Sequence, residues 1–187
     1  KLGLPKRTHG RSRAVKTAVN KRGGYGRFVP ETIAERFHKA DERRDMTATG
    51  TYTLLITLRE PTTITFGAAG EADLAAGGYA YTGSAFGTGG FSRIGRHREL
   101  ASGGRDVRHW HIDYLLGHPQ TALTDVKKTV GEDVECRVAR TIAAEATPID
   151  GIGASDCDCN THLAYASDVE ELRRIVEQAH ESARAGD

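Results

Sequence analysis

Residues 46–187 predict an α+β domain, an α/β sandwich built on one small mixed or antiparallel sheet flanked by helices. Three observations carry this expectation. Short β-branched and apolar runs alternate with stretches of helical period, Gly and Pro punctuate the junctions, and no stretch reaches the ~18 apolar residues of a membrane span. Three Cys, an odd number, argue against a disulfide scaffold and for a reducing cytoplasm.

Residues 51–58 (TYTLLITL) read as a first strand, stopped by Arg59-Glu60-Pro61. Residues 63–67 (TITFG) read as a second. Residues 77–83 (GGYAYTG) read as a third, with Tyr79 and Tyr81 on one face because strand side chains repeat every second residue. Residues 91–101 predict a helix capped by Ser92, with Arg93, Arg96 and His97 sharing a face. Residues 109–116 (HWHIDYLL) predict a second helix in which Trp110 packs inward and His109 and His111 point apart. A strand over 121–130 precedes a helix over 134–145 that turns Val134, Val138, Ile142 and its alanines inward. Residues 147–160 form a loop and 162–166 a short strand. The last helix, 167–184, opens with a capping box of Ser167 and Glu170 and carries an apolar stripe of Val169, Leu172, Val176 and Ala179.

Charge divides the chain. Residues 1–45 hold 13 Lys and Arg against 5 Asp and Glu, whereas residues 46–187 hold 13 against 20, of which only Lys127 and Lys128 are lysines. The basic segment reads as a disordered or accessory extension with a short helix over 30–44, and the only methionine, Met46, as the first residue of the domain proper. Within the acidic domain, residues 91–111 hold Arg93, Arg96, Arg98, Arg105 and Arg108 against Glu99 and Asp106, and add His97, His109 and His111. Such a strip suits phosphate contacts whose strength falls steeply with salt.

Gly50-Thr51-Tyr52 opens the first strand, Tyr81-Thr82-Gly83-Ser84 closes the third, Arg93 and His97 lie on the helix that follows, and Glu135 on a later one. In this order the set resembles the GIY-YIG nuclease superfamily. It is most similar to the archaeal and bacterial Uri-type branch, through residues 78–84, 109–116, Glu135-Cys136 and 153–162 (GASDCDCNTH) as well. The resemblance spans about residues 49–166. It implies a metal-dependent endonuclease acting on DNA, with links to repair or restriction. By the same resemblance Tyr52 takes a proton from the attacking water, Tyr81 neighbours it, Arg93 binds phosphate, His97 assists the base or the phosphate, and Glu135 holds Mg²⁺ or Mn²⁺. Two features depart from the pattern. The 28 residues between Tyr52 and Tyr81 exceed the usual gap and fit an inserted second strand, and the customary site asparagine has only Ser155, Asp156 and Asn160 as counterparts.

The chemistry is coherent for these residue types. A single carboxylate suits Mg²⁺, which keeps several waters, and a planar guanidinium grips two phosphate oxygens. An ordinary phenol with a pKa of about 10 is only ~0.1% ionised at neutral pH. Arg93, His97 and the metal are therefore expected to lower the pKa of Tyr52, and the rate to climb with pH. Each feature alone also has an ordinary reading: tyrosines in a strand core, a solvated helix face, an acid at a helix start. A non-catalytic nucleic-acid-binding module is the competing function. Cys136, Cys157, Cys159 and His162 have the donor types of a structural zinc, while their tight spacing favours a packed, polar loop closing the site.

Overall fold

The computed structural model describes residues 47–184. The basic extension, its expected short helix and Met46 lie outside the described residues. Strand β1 (Gly50–Leu58) is followed by a hairpin of β2 (Thr62–Thr65) and β3 (Glu71–Leu74), then β4 (Gly77–Ser84). Helices α1 (Ser92–Ala101) and α2 (His111–Leu116) lead to β5 (Thr121–Val130) and α3 (Glu135–Glu145). The chain closes with β6 (Thr147–Pro148), β7 (Leu163–Ala166) and α4 (Val169–Arg184). Five strands form one sheet in the order β5-β1-β4-β7-β6, antiparallel at every pairing, while β2 and β3 pair apart from it.

The central sheet is covered on both faces. Tyr52, Leu54, Ile56 and Leu58 alternate onto one face of β1 and join Tyr79 and Leu163 against Ile94 and Leu100 of α1, Ile112 and Leu115 of α2, and Ile64 and Leu74 of the hairpin. The intervening residues, Leu55 with Ala80 and Ala164 beside it, meet Val138 and Ile142 of α3 and Leu172, Val176 and Ala179 of α4. Each large apolar side chain contributes roughly 1.5–3 kcal/mol by leaving water. Burial on both sides is why β4 is buried along all but its two end residues.

The helix-and-strand order agrees with the sequence reading, and five details correct it. The sheet takes the antiparallel of the two expected forms, and the loop expected over residues 147–160 instead opens with the short edge strand β6, paired to β7. The stretch between β1 and β4 is a complete hairpin rather than one strand: β3 carries the pattern EADL, with Leu74 its one fully buried residue, and is held by pairing with β2. Phe91, not Ser92, occupies the N-cap of α1, and no side chain caps it. At α4 the cap is Asp168, whose Oδ1 accepts from the N–H groups of Glu170 (2.9 Å) and Glu171 (3.1 Å), so the Ser167 capping box does not form. Ala144 of α3 is exposed rather than inward. Among the described residues no helix is long and apolar enough to cross a membrane.

Candidate active site

In the β1–β4 ladder Tyr52 stands opposite Gly83 and Leu54 opposite Tyr81, so the two phenols project from the same face. Gly83 is required there by space alone: a Cβ would stand 2.6 Å from the Tyr52 hydroxyl. Gly153, at φ +78°, serves Tyr81 likewise, with a Cβ position 2.6 Å from the Tyr81 ring. α1 brings Arg93 and His97 over these phenols. Together they line a hollow of about 260 Å³ whose walls also include Ser84, His109, Trp110, His111, Glu135, Ser155 and Asp156.

Glu135 reaches this hollow from an unexpected side. The body of α3 packs on the opposite face of the sheet, through Val138 and Ile142. Its first residue is carried round by the turn after β5, which buried Thr51 pins: the Thr51 hydroxyl donates to the Glu132 carbonyl (3.0 Å) and accepts from the Val134 N–H (3.0 Å). Glu135 therefore begins the helix at the rim of the hollow. One oxygen, Oε1, accepts a hydrogen bond from His162 Nδ1 at 3.1 Å.

A second chain of contacts runs behind Tyr52. The Tyr52 hydroxyl lies 3.0 Å from His97 Nε2, and His97 Nδ1 lies 3.7 Å from Asp113 Oδ1, too long for a hydrogen bond but close enough to favour a proton on Nδ1. In that tautomer Nε2 accepts from the phenol. Asp113 is fully buried; Arg96 grips both its oxygens, and the N–H groups of His109 (2.7 Å) and Trp110 (3.0 Å) donate to Oδ2. Burial alone would raise its pKa, but these donors hold it below the ordinary carboxylate range. His97 is pushed down to about 4 by burial, with Arg96 and Arg93 reinforcing the shift against Asp113. It is neutral at physiological pH.

Arg93 lowers the Tyr52 phenol as expected, but the protein's own groups do not offset its burial. Burial lifts it to about 12, outweighing the Arg93 guanidinium beside it, and Tyr81 is raised further still by burial. Neither phenol ionises on its own near neutrality.

The expected arginine strip breaks into separate contacts. Arg93 alone of the five points into the hollow, its Nη1 donating to the Ser84 carbonyl. Arg96 is committed to Asp113 and stacks on Trp110 at 4.2 Å. Arg105 pairs with Glu99 (3.0 Å), and Arg108 lies over the Tyr114 ring. Arg98 is exposed beside Arg59 in a groove along β5. His109 and His111, read as pointing apart, both line the hollow because α2 begins only at His111. Trp110, read as packing, is exposed. Of the three counterparts for the missing asparagine, Ser155 and Asp156 line the hollow and Asn160 does not. Asp113 escaped the sequence reading altogether; its one signal is a carboxylate among the apolar residues of HWHIDYLL, three positions after the helix cap.

Behind Glu135, the donor atoms of Cys136, Cys157, Cys159 and His162 lie within 4.8 Å of one another. The three cysteines are free thiols. Burial and the neighbouring thiols lift Cys136 to about 12. Burial presses His162 down, yet the Glu135 carboxylate and Cys157 outweigh it and hold the imidazole above its usual range.

No curated protein and no solved structure matches the chain. A family model does match, over residues 51–185, taking in both phenols, Arg93, His97, Glu135 and the cysteine cluster. The chain belongs to the family described as Domain of unknown function DUF123.

Proposed function

We propose that this protein is a metal-dependent endonuclease of the GIY-YIG type, near the Uri-type branch, that hydrolyses DNA phosphodiester bonds. The observation that carries the reading is convergence: Tyr52 from β1, Tyr81 from β4, Arg93 and His97 from α1 and Glu135 from α3 line one hollow. The free thiols fit work in a reducing cytoplasm.

The donor set fits a hard divalent cation. Glu135 keeps a second carboxylate oxygen beyond the one engaged by His162, and Asp156 and Ser155 add oxygens in the same hollow. Mg²⁺ or Mn²⁺ held there supplies charge neutralisation at the phosphate and its leaving oxygen. Arg93, oriented by its bond to the Ser84 carbonyl, binds the phosphate and meets the charge that develops on it. Tyr52 and His97 move the proton. As water attacks phosphorus, its proton passes to the Tyr52 oxygen while the phenol proton passes to His97 Nε2, 3.0 Å away. No free phenolate is needed, and the buried Asp113 carboxylate steadies the imidazolium that forms.

A second reading, a nucleic-acid-binding module without catalysis, draws on one observation: Tyr52 is only 2% exposed and hard to ionise. Incubation with supercoiled plasmid in Mg²⁺ or Mn²⁺ separates the two. The nuclease reading predicts nicked circles, a drop of roughly 10²–10³ for Arg93→Ala, and no cleavage for Glu135→Ala. Binding without nicking in either metal would replace it with the second reading.

A further inference from the structure

We propose that Cys136, Cys157, Cys159 and His162 hold a Zn²⁺ ion, and that this ion, through His162 Nδ1, fixes the Glu135 carboxylate at the rim of the hollow. The metal half stands by itself; the positioning half rests on the function proposed above.

The donors are those of a closed structural zinc site, three thiolates and one imidazole. Zinc bonds of about 2.3 Å to sulfur and 2.0–2.1 Å to nitrogen place neighbouring tetrahedral donors about 3.5–3.8 Å apart. Cys157 Sγ lies 3.4 Å and Cys136 Sγ 4.0 Å from His162 Nε2, which brackets that value. A packed loop without metal accounts poorly for three thiols and an imidazole nitrogen gathered within 4.8 Å of one another, two of the thiols directly against that nitrogen. His162 is buried, and its other nitrogen, Nδ1, faces a carboxylate. That is the arrangement in which a ligating histidine has its tautomer and ring plane set by a hydrogen bond to an outer carboxylate. Cys136 follows Glu135 on the first turn of α3, Cys157 and Cys159 sit on the loop that carries Ser155 and Asp156, and His162 precedes β7. One ion would join all three segments and order the wall of the hollow that holds its acidic groups.

The test uses the full chain and readouts that do not involve DNA. Metal analysis of the purified protein after gel filtration into metal-free buffer without chelator should find close to one zinc per chain. Replacement by Co²⁺ should give the visible bands of a tetrahedral site with thiolate-to-cobalt charge transfer in the near ultraviolet. Zinc well below one per chain, iron in its place, or a cobalt spectrum without charge transfer would overturn the site. Cys159→Ser should lose stoichiometric zinc, and retention would remove Cys159 from the ligand set. Glu135→Gln should weaken zinc binding by roughly 10–100-fold in competition with a chromogenic chelator, with Glu99→Gln as the unchanged control. Wild-type affinity in Glu135→Gln would break the link between ion and carboxylate. The wild-type measurements do not depend on any variant folding. A zinc-loaded protein that never nicks DNA would refute the function and leave the site, and a zinc-free protein that nicks would do the reverse.

Discussion

Gly83→Ala tests the placement of Tyr52 at a single atom. The added methyl would stand 2.6 Å from the Tyr52 hydroxyl and 2.7 Å from its Cζ. The phenol must withdraw by roughly 0.8 Å to reach ordinary contact, and it has little room, being 2% exposed beneath α1. Such a shift breaks the 3.0 Å contact with His97 and moves the oxygen that receives the water proton. Overpacking of this kind costs about 1–3 kcal/mol. A domain with a typical stability of about 5–15 kcal/mol remains folded through that loss. The activity loss should be larger than the stability loss suggests, because a misplacement near 1 Å costs on the order of 10²-fold in rate. Plasmid nicking under single-turnover conditions, paired with urea denaturation of the same preparation, measures both. A variant that is destabilised yet nicks within threefold of wild type would refute the relay through Tyr52.

Two pH profiles follow from the buried histidines. The nicking rate should rise only as His97 loses its proton near pH 4 and then level off through neutrality; a tenfold rise per pH unit from 6 to 9 would restore Tyr52 as a free phenolate base. Stability should fall with acid. His97 and His180 are each held near pH 4, chiefly by burial, against about 6.5 in the unfolded chain, so the unfolded state binds more protons between those values. Their contribution is complete above pH 6.5 and lost as pH falls toward 4, amounting to roughly 2 kcal/mol each by pH 5. The urea midpoint should therefore drop from pH 7 to pH 5, and a flat profile would contradict the neutral, buried state of His97 and of His180 between the Thr53 and Thr129 hydroxyls.

What was legible in the sequence is what local pattern controls. β1 and β5 declare themselves by β-branched residues and β4 by its alternating tyrosines, and Tyr52, Tyr81, Arg93 and His97 follow from strand period and a four-residue helical step. Tertiary contacts decide the rest. EADL has too little apolar character to read as a strand; pairing with β2 makes it one. Nothing near Asp113 in sequence says that Arg96, seventeen positions away, will neutralise it, so a dense run of arginines looks uniformly available when several are already paired. The same limit hid the bond between Glu135 and His162, which joins residues 27 apart through a loop of no regular structure. His109 and His111 fell together because the helix starts two residues later than its pattern suggests.

The most direct trial of the convergence of Tyr52, Arg93 and Glu135 on one reactive hollow is the conversion of supercoiled plasmid to open circles by wild-type protein with Mn²⁺ or Mg²⁺, beside Arg93→Ala and Arg105→Ala. Cleavage that falls by roughly 10²–10³ in Arg93→Ala and is unchanged in Arg105→Ala, whose guanidinium is occupied by Glu99, is the predicted result. Equal cleavage by all three proteins, or plasmid bound but left intact by wild type, would contradict it.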